Sequence, residues 1–289
     1  MSLETYGYSA QNKRIKLISK SELLAFVMLV FIVCWLIFPR DLSLTLRDSE
    51  LDAVSKQYIE IWLQAKPDDV QLRILLAQGL IHLGQLEQAS QHLKIIQKSH
   101  KKSIAAQGYW LHAQLEFERL MAIQPADRRE HLLWAISKQA LSYVDYRILE
   151  PKEIAQYIRM SLLLGFTKDA FSAASYWLQT NNPDSQEITV IADSFAAYQS
   201  HSAAASLYIQ ALIKTQNPEQ KSVYFLFALA SYQAGSLFGG GTELIQRFAR
   251  LFLDDEKILY RIVQFARAAD NHALASFYAS HLMGLEVKP

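Results

Sequence analysis

The 289 residues carry a formal net charge of +1, with 20% charged and 51% hydrophobic side chains. That balance supplies neither the basic field that draws nucleic acid nor the acidic block of a disordered tail. With 10 Gly and 7 Pro among so much apolar surface, the chain has little turn punctuation, which predicts helices joined by short turns.

Read from the N-terminus, the first element is the uncharged run Leu23 to Phe38, LLAFVMLVFIVCWLIF. At about 1.5 Å per residue it spans roughly 24 Å, and Lys20 and Arg40 can snorkel to the two surfaces of a ~30 Å hydrocarbon core. The residues that follow, Trp35 to Arg40, hold no small-residue cleavage site, so a permanent transmembrane helix over residues 21–39 is expected instead of a removed signal. Cys34 is the single cysteine and lies mid-run behind Val33; it reads as a membrane-buried thiol. Lys13, Arg14, Lys16 and Lys20 precede the run, whereas Arg40 and Arg47 beyond it are mixed with Asp41, Asp48, Glu50 and Asp52. The positive-inside rule then makes residues 1–20 a basic cytoplasmic tail and sends residues 40–289 across. The expected location is a bacterial inner membrane, single-pass, with the bulk of the chain in the periplasm.

Further on, LGQLEQA (Leu83 to Ala89) and LGFTKDA (Leu164 to Ala170) share Leu-Gly, four residues and Ala, a spacing that describes two helices with a Gly turn between them. Steps of 35 from Gly165 fall on Ser200, Gly235 and Asp270, and Pro183 and Pro218 are also 35 apart. A period carried by two kinds of punctuation signals a helical repeat. The interval from Gly84 to Gly165 is 81, which predicts one longer hairpin near residues 104–147, with an insertion of about eleven residues.

Signals for catalysis are absent. The eight histidines, at 82, 92, 100, 112, 131, 201, 272 and 281, form no H-E-x-x-H or other close ligand spacing, and G-x-S-x-G and paired Cys motifs do not occur. Asp254, Asp255 and Glu256 fall where a helix should start and read as capping acids. In FGGGTE, Phe238 to Glu243, no Lys follows the glycines as a phosphate loop requires; Gly239 to Gly241 read as a loosened turn, with Thr242 capping a helix that begins at Glu243. No enzyme activity, catalytic residue, metal or cofactor is expected.

The unit PDDVQLRILLAQGLIHLGQLEQASQHL, Pro67 to Leu93, resembles the tetratricopeptide repeat family, whose unit is a 34-residue antiparallel helix pair. Leu76 and Ala77 match the packing positions of its first helix, Gly84 the turn, and Ala89 and Leu93 the second helix; Asp193 and Gly240 depart from the pattern. The resemblance implies an all-α fold: a transmembrane helix followed by a right-handed α-solenoid over residues 40–289, with a half-repeat at Leu51 to Ala65 and about six hairpins. It also implies a concave partner-binding surface lined by first-helix residues. Mapping the turns selects Gln78, His82, Arg159, Ser194, Tyr198, Phe225, Tyr232, Tyr260, Gln264 and Arg267. Tyr, Phe, Arg and Gln offer large contact area with polar handles, although aromatics at such positions also pack between hairpins.

A narrower resemblance lies in FPRDLSLTLRD (Phe38 to Asp48), YIEIWLQAKPDDVQLRILLAQGLIHLGQLEQA (Tyr58 to Ala89), YVDYRILEPKEIAQYIRMSLLLG (Tyr143 to Gly165) and FARLFLDDEKILYRIVQFARAADNHALASFYASHL (Phe248 to Leu282). These segments are similar to PelB-type proteins, exporters of the Pel exopolysaccharide that join an anchor and a periplasmic repeat scaffold to an outer-membrane β-barrel. No alternating strands of a barrel occur here, so the barrel is expected in another polypeptide, or the chain is a truncated or divergent member. The resemblance implies a scaffold for Pel-like exopolysaccharide export and biofilm formation, with a PelA-like modifying enzyme and an outer-membrane barrel as partners. Two other readings stay open: an anchored envelope chaperone holding exported proteins, and a polysaccharide-binding module.

Overall fold

The computed structural model describes residues 20–37, 53–124 and 129–284. The basic tail, the segment from Phe38 to Asp52 and the chain after Gly284 lie outside the described residues. Among the described residues the fold is all-helical. The helices are α1 (Lys20–Ile37), α2 (Ala53–Ala65), α3 (Val70–His82), α4 (Leu86–Ile96), α5 (Lys102–Met121), α6 (Glu130–Ser142), α7 (Pro151–Leu163) and α8 (Thr167–Asn181). They continue as α9 (Ser185–Ala197), α10 (His201–Lys214), α11 (Pro218–Ala234), α12 (Phe238–Phe248), α13 (Glu256–Ala268) and α14 (His272–Leu282). Short 3-10 turns occupy Tyr146–Ile148 and Ala249–Phe252.

Two compact units divide the chain, Met1–Leu75 and Leu76–Pro289. In the first, α1 exposes Leu23 to Val30 together with Ile32 and Val33. Among the described residues no helix is long and apolar enough to cross a membrane. The apolar side chains described on α1 cover Leu23 to Val33, about 16 Å at helical rise, and the side chains of Lys20 and Cys34 lie outside the description. In α2, Ile59 and Leu63 are buried, i and i+4 on one face.

The second unit repeats one turn. At Gly84, Gly165, Gln199, Ser236 and Asp270 the backbone is left-handed, with φ of 70, 85, 57, 53 and 55°. Each of these residues donates its N–H to the carbonyl three back, and the next residue donates to the carbonyl five back. At Gly165 those bonds are Gly165 N to Leu162 O, 3.1 Å, and Phe166 N to Ser161 O, 2.7 Å. At Ser236 they are Ser236 N to Gln233 O, 3.0 Å, and Leu237 N to Tyr232 O, 2.8 Å. This closure satisfies carbonyls that a helix end leaves orphaned, and every time a new helix begins two residues after the left-handed one. The step of 35 lands on Ser200 and Gly235, each one residue from the left-handed position, because α11, at 17 residues, is longer than α7, α9 and α13 at 13 each.

Between the pairs, side-chain caps start the next helix. Asp184 accepts from Glu187 N at 2.8 Å while Glu187 accepts from Asp184 N at 2.9 Å. Asn217 caps α11 behind Pro218 at its first position, and Asp255 accepts from Lys257 N and Ile258 N at the start of α13. The capping role read for the acidic cluster at residues 254–256 is thus Asp255's.

Two readings of local structure are corrected. Gly239 to Gly241 do not form a turn; they are inside α12, and Thr242 donates to Phe238 O four residues back instead of capping a helix at Glu243. Gly240 and Gly241 serve packing, since Cβ atoms there would collide with the rings of Tyr232 and Phe265. Asp193 departs from the repeat pattern because it accepts a 2.6 Å bond from the Tyr208 hydroxyl, joining α9 to α10. The core runs through the unit on large fully buried side chains, Trp110, Leu115, Phe195, Phe225 and Phe265 among them.

A candidate interaction face on the alternate helices

The sequence-selected residues lie on α3, α7, α9, α11 and α13, the helix before each left-handed turn, with Tyr198 at the C-terminal cap of α9. Beyond their chain neighbours, α7 touches α9 and α11 touches α13. Capping and turn chemistry place them: each helix starts from a cap or a Pro and ends in the same closure, which fixes the phase of its surface positions.

Position by position the outcomes differ. Arg159, Tyr198, Tyr260, Arg267 and His82 are exposed, with Tyr198 at 43% and Tyr260 at 54%. Gln78, Ser194 and Gln264 are half-buried; Ser194 donates to Val190 O within α9, and Gln264 accepts from the Arg261 guanidinium at 3.0 Å. Phe225 is a correction. It has no exposed surface and lies 5.0 Å from the Phe252 ring, centroid to centroid, so it packs the core and lines no surface. Tyr232 is half-buried against Gly240, and burial, then the Glu243 charge, raise its phenol above the usual range.

Two clefts open among these helices. One of about 120 Å³ is lined by Ile81, His82, Gln114, Glu118 and Gln156, where Gln114 donates to Gln156 at 2.8 Å. The other, about 210 Å³, brings Arg159 together with Pro151, Lys152, Ala155, Trp177, Glu187, Val190 and Ile191. Lys152, Trp177 and Val190 were not selected from the sequence, because the turn-relative positions took Arg159 alone from α7, Ser194 and Tyr198 from α9 and its C-terminal cap, and nothing from α8. The i, i+7 relation of Lys152 to Arg159 was the available signal.

A separate cleft of about 680 Å³ follows the turns, lined by Lys168, Phe171, Ser200, His201, Gly235 and Leu237 among others. Phe171 also borders a 370 Å³ groove between α8 and α10, with Ser175, Gln179, Ser206 and Gln210. No group of three His, Cys, Asp or Glu among the described residues could hold a metal ion. What the alternate-helix face offers is contact: aromatic area, guanidinium groups and amides. No family model matches the chain, and no curated protein matches it.

Proposed function

We propose that this chain is a helical-repeat scaffold that captures a protein partner on its alternate helices, tethered by α1 to a bacterial inner membrane with its repeats in the periplasm. The observation that carries the reading is the recurrence of one turn geometry at Gly84, Gly165, Gln199, Ser236 and Asp270. Repetition of that closure presents the same helix of each pair, and Arg159, Tyr260 and Arg267 stand exposed on those helices, with Tyr198 exposed at the C-terminal cap of α9. Repeat architectures of this kind bind along extended faces, and exposed Tyr and Arg are the residue types that dominate interface energetics. The uncharged run from Leu23 to Phe38 supports the tether, which confines the face to the membrane and raises its effective concentration for a partner.

Resemblance to PelB-type proteins supports placing this scaffold in export of a Pel-like exopolysaccharide, with a PelA-like modifying enzyme and an outer-membrane barrel as the partners. The test is a photo-crosslinker at Tyr198 and at Tyr260 in the full-length protein, with capture in its native cell identified by mass spectrometry. One periplasmic carbohydrate-modifying enzyme or one outer-membrane barrel is expected. A scatter of unrelated exported proteins overturns the scaffold in favour of a chaperone, and glycan alone overturns it in favour of a polysaccharide-binding module. Release of the protein from membranes by alkaline carbonate removes the tether.

A further inference from the structure

The 210 Å³ cleft between α7 and α9 combines an apolar floor with an excess of positive charge. Trp177 and Ile191 are buried beneath it, Ala155 is half-buried, and Val190 stands 52% exposed at its rim. Three charged side chains line it: Lys152, Arg159 and Glu187. Glu187 is committed to the capping box of α9, where its carboxylate accepts from Asp184 N at 2.9 Å. Lys152 and Arg159 form no ion pair with any described residue and are exposed at the cleft's edge. Two cations on α7 against the single Glu187 carboxylate leave the lining with an excess of positive charge beside an apolar depression.

We propose that this cleft is a docking site for an acidic peptide segment of the protein partner, an Asp or Glu side chain meeting Lys152 and Arg159 while a neighbouring aliphatic residue covers Val190 and Trp177. The inference rests on the scaffold reading and deepens it by giving the partner's chemistry. Size and charge decide the class. At about 210 Å³ the cleft is smaller than the ~300–1,000 Å³ of ordinary ligand pockets, so it admits a side chain and its neighbour but no cofactor. Arg159 offers a fork that matches a carboxylate bidentately, and Lys152 adds a point charge. The apolar floor gives the second residue its area and lowers the local dielectric in which the charges meet.

The test uses the full-length protein in detergent micelles, labelled with 5-fluorotryptophan, with the Trp177 resonance assigned by Trp177→Phe. The probe is acetyl-Leu-Glu-amide, and acetyl-Leu-Gln-amide, acetyl-Leu-Lys-amide and inorganic phosphate are the comparisons. A saturable shift of the Trp177 signal is expected with the Glu peptide, at about tenfold lower concentration than with the Gln peptide. Lys152→Gln with Arg159→Gln abolishes that preference, and Arg159→Glu transfers it to the Lys peptide, which also shows that the variant is folded. Equal response to the Glu and Gln peptides overturns the charge selection. An equal response to phosphate reduces the site to a plain anion contact, and no response to any peptide removes it. A cleft that selects the Glu peptide in a protein whose Tyr198 captures only scattered proteins leaves this site standing and sinks the scaffold; the reverse pair of results does the opposite.

Discussion

The ring of Phe265 on α13 lies directly on the backbone of Gly241 on α12: a Cβ built at Gly241 would have the ring's Cε2 at 2.7 Å and its Cζ closer still. Phe265 is wholly buried and has no room to retreat. Gly241→Ala therefore overpacks the core and destabilises by about 1–3 kcal/mol, outweighing the ~1 kcal/mol that Ala gains over Gly in a helix interior. Gly239, with nothing within 4 Å of its Cβ position, is the control. Gly239→Ala raises stability by about 0.5 kcal/mol, and thermal midpoints of the two variants move in opposite directions.

The left-handed turn residues give a second series. Gly84 and Gly165 sit at φ of 70 and 85° with open space around them, so Ala at either costs only backbone strain, about 1 kcal/mol. Gln199 and Ser236 already bear that strain, at φ of 57 and 53°. Gln199→Gly and Ser236→Gly accordingly stabilise by about 0.5 kcal/mol each once the extra freedom of the unfolded chain is counted, as denaturant midpoints would register.

Arg119 joins two carboxylates of different character. It meets buried Glu116 on α5 at 2.8 Å and reaches the exposed Glu87 on α4 at 2.7 Å. Removing the arginine leaves Glu116 without its cation in the protein interior. Arg119→Ala is expected to cost about 2 kcal/mol or more, whereas Glu87→Ala, which breaks only a solvated pair, costs under about 0.5 kcal/mol. Chemical denaturation of both variants measures the difference; equal losses would assign the energy to the surface pair.

His112 sits 3.9 Å from Glu116, yet its pKa is lowered: burial favours the neutral ring, opposed by the Glu116 charge and aided by Arg119. A histidine whose folded pKa lies below its unfolded value binds its proton more readily unfolded, so stability rises with pH across that interval. The contribution is complete above the unfolded pKa of about 6.5 and is lost as pH falls toward the folded value. Between about pH 7.5 and 5.5 the thermal midpoint of the native chain should therefore fall further than that of His112→Gln. An identical fall in both chains would remove His112 from the acid sensitivity.

Helical class and much of the turn placement were legible because they rest on local chemistry. Leu-Gly at Gly84 and Gly165, the Asp and Asn caps and Pro218 act within a few residues of chain, and the pattern displays them directly. Left-handed Gln199 and Ser236 escaped notice because neither residue type favours that conformation; the packing of the pairs imposes it. Phe225 shows the same limit on the binding face. Its turn-relative position nominates a surface residue, but the Phe252 ring covers it, and that ring arrives from a 3-10 segment 27 residues further along the chain.

The sequence by itself determined an all-helical chain with periodic turns and an apolar run near its start, since these follow from hydrophobic spacing and from residues that start and stop helices. Only the tertiary structure decided that the glycines of FGGGTE lie inside a helix and that Lys152 and Arg159 share a cleft with Trp177 and Val190. Both depend on which side chains meet across neighbouring helices. The rings of Tyr232 and Phe265 make Gly240 and Gly241 useful in a helix whose propensities oppose them, and the packing of α7 beside α9 turns two ordinary surface cations into one site.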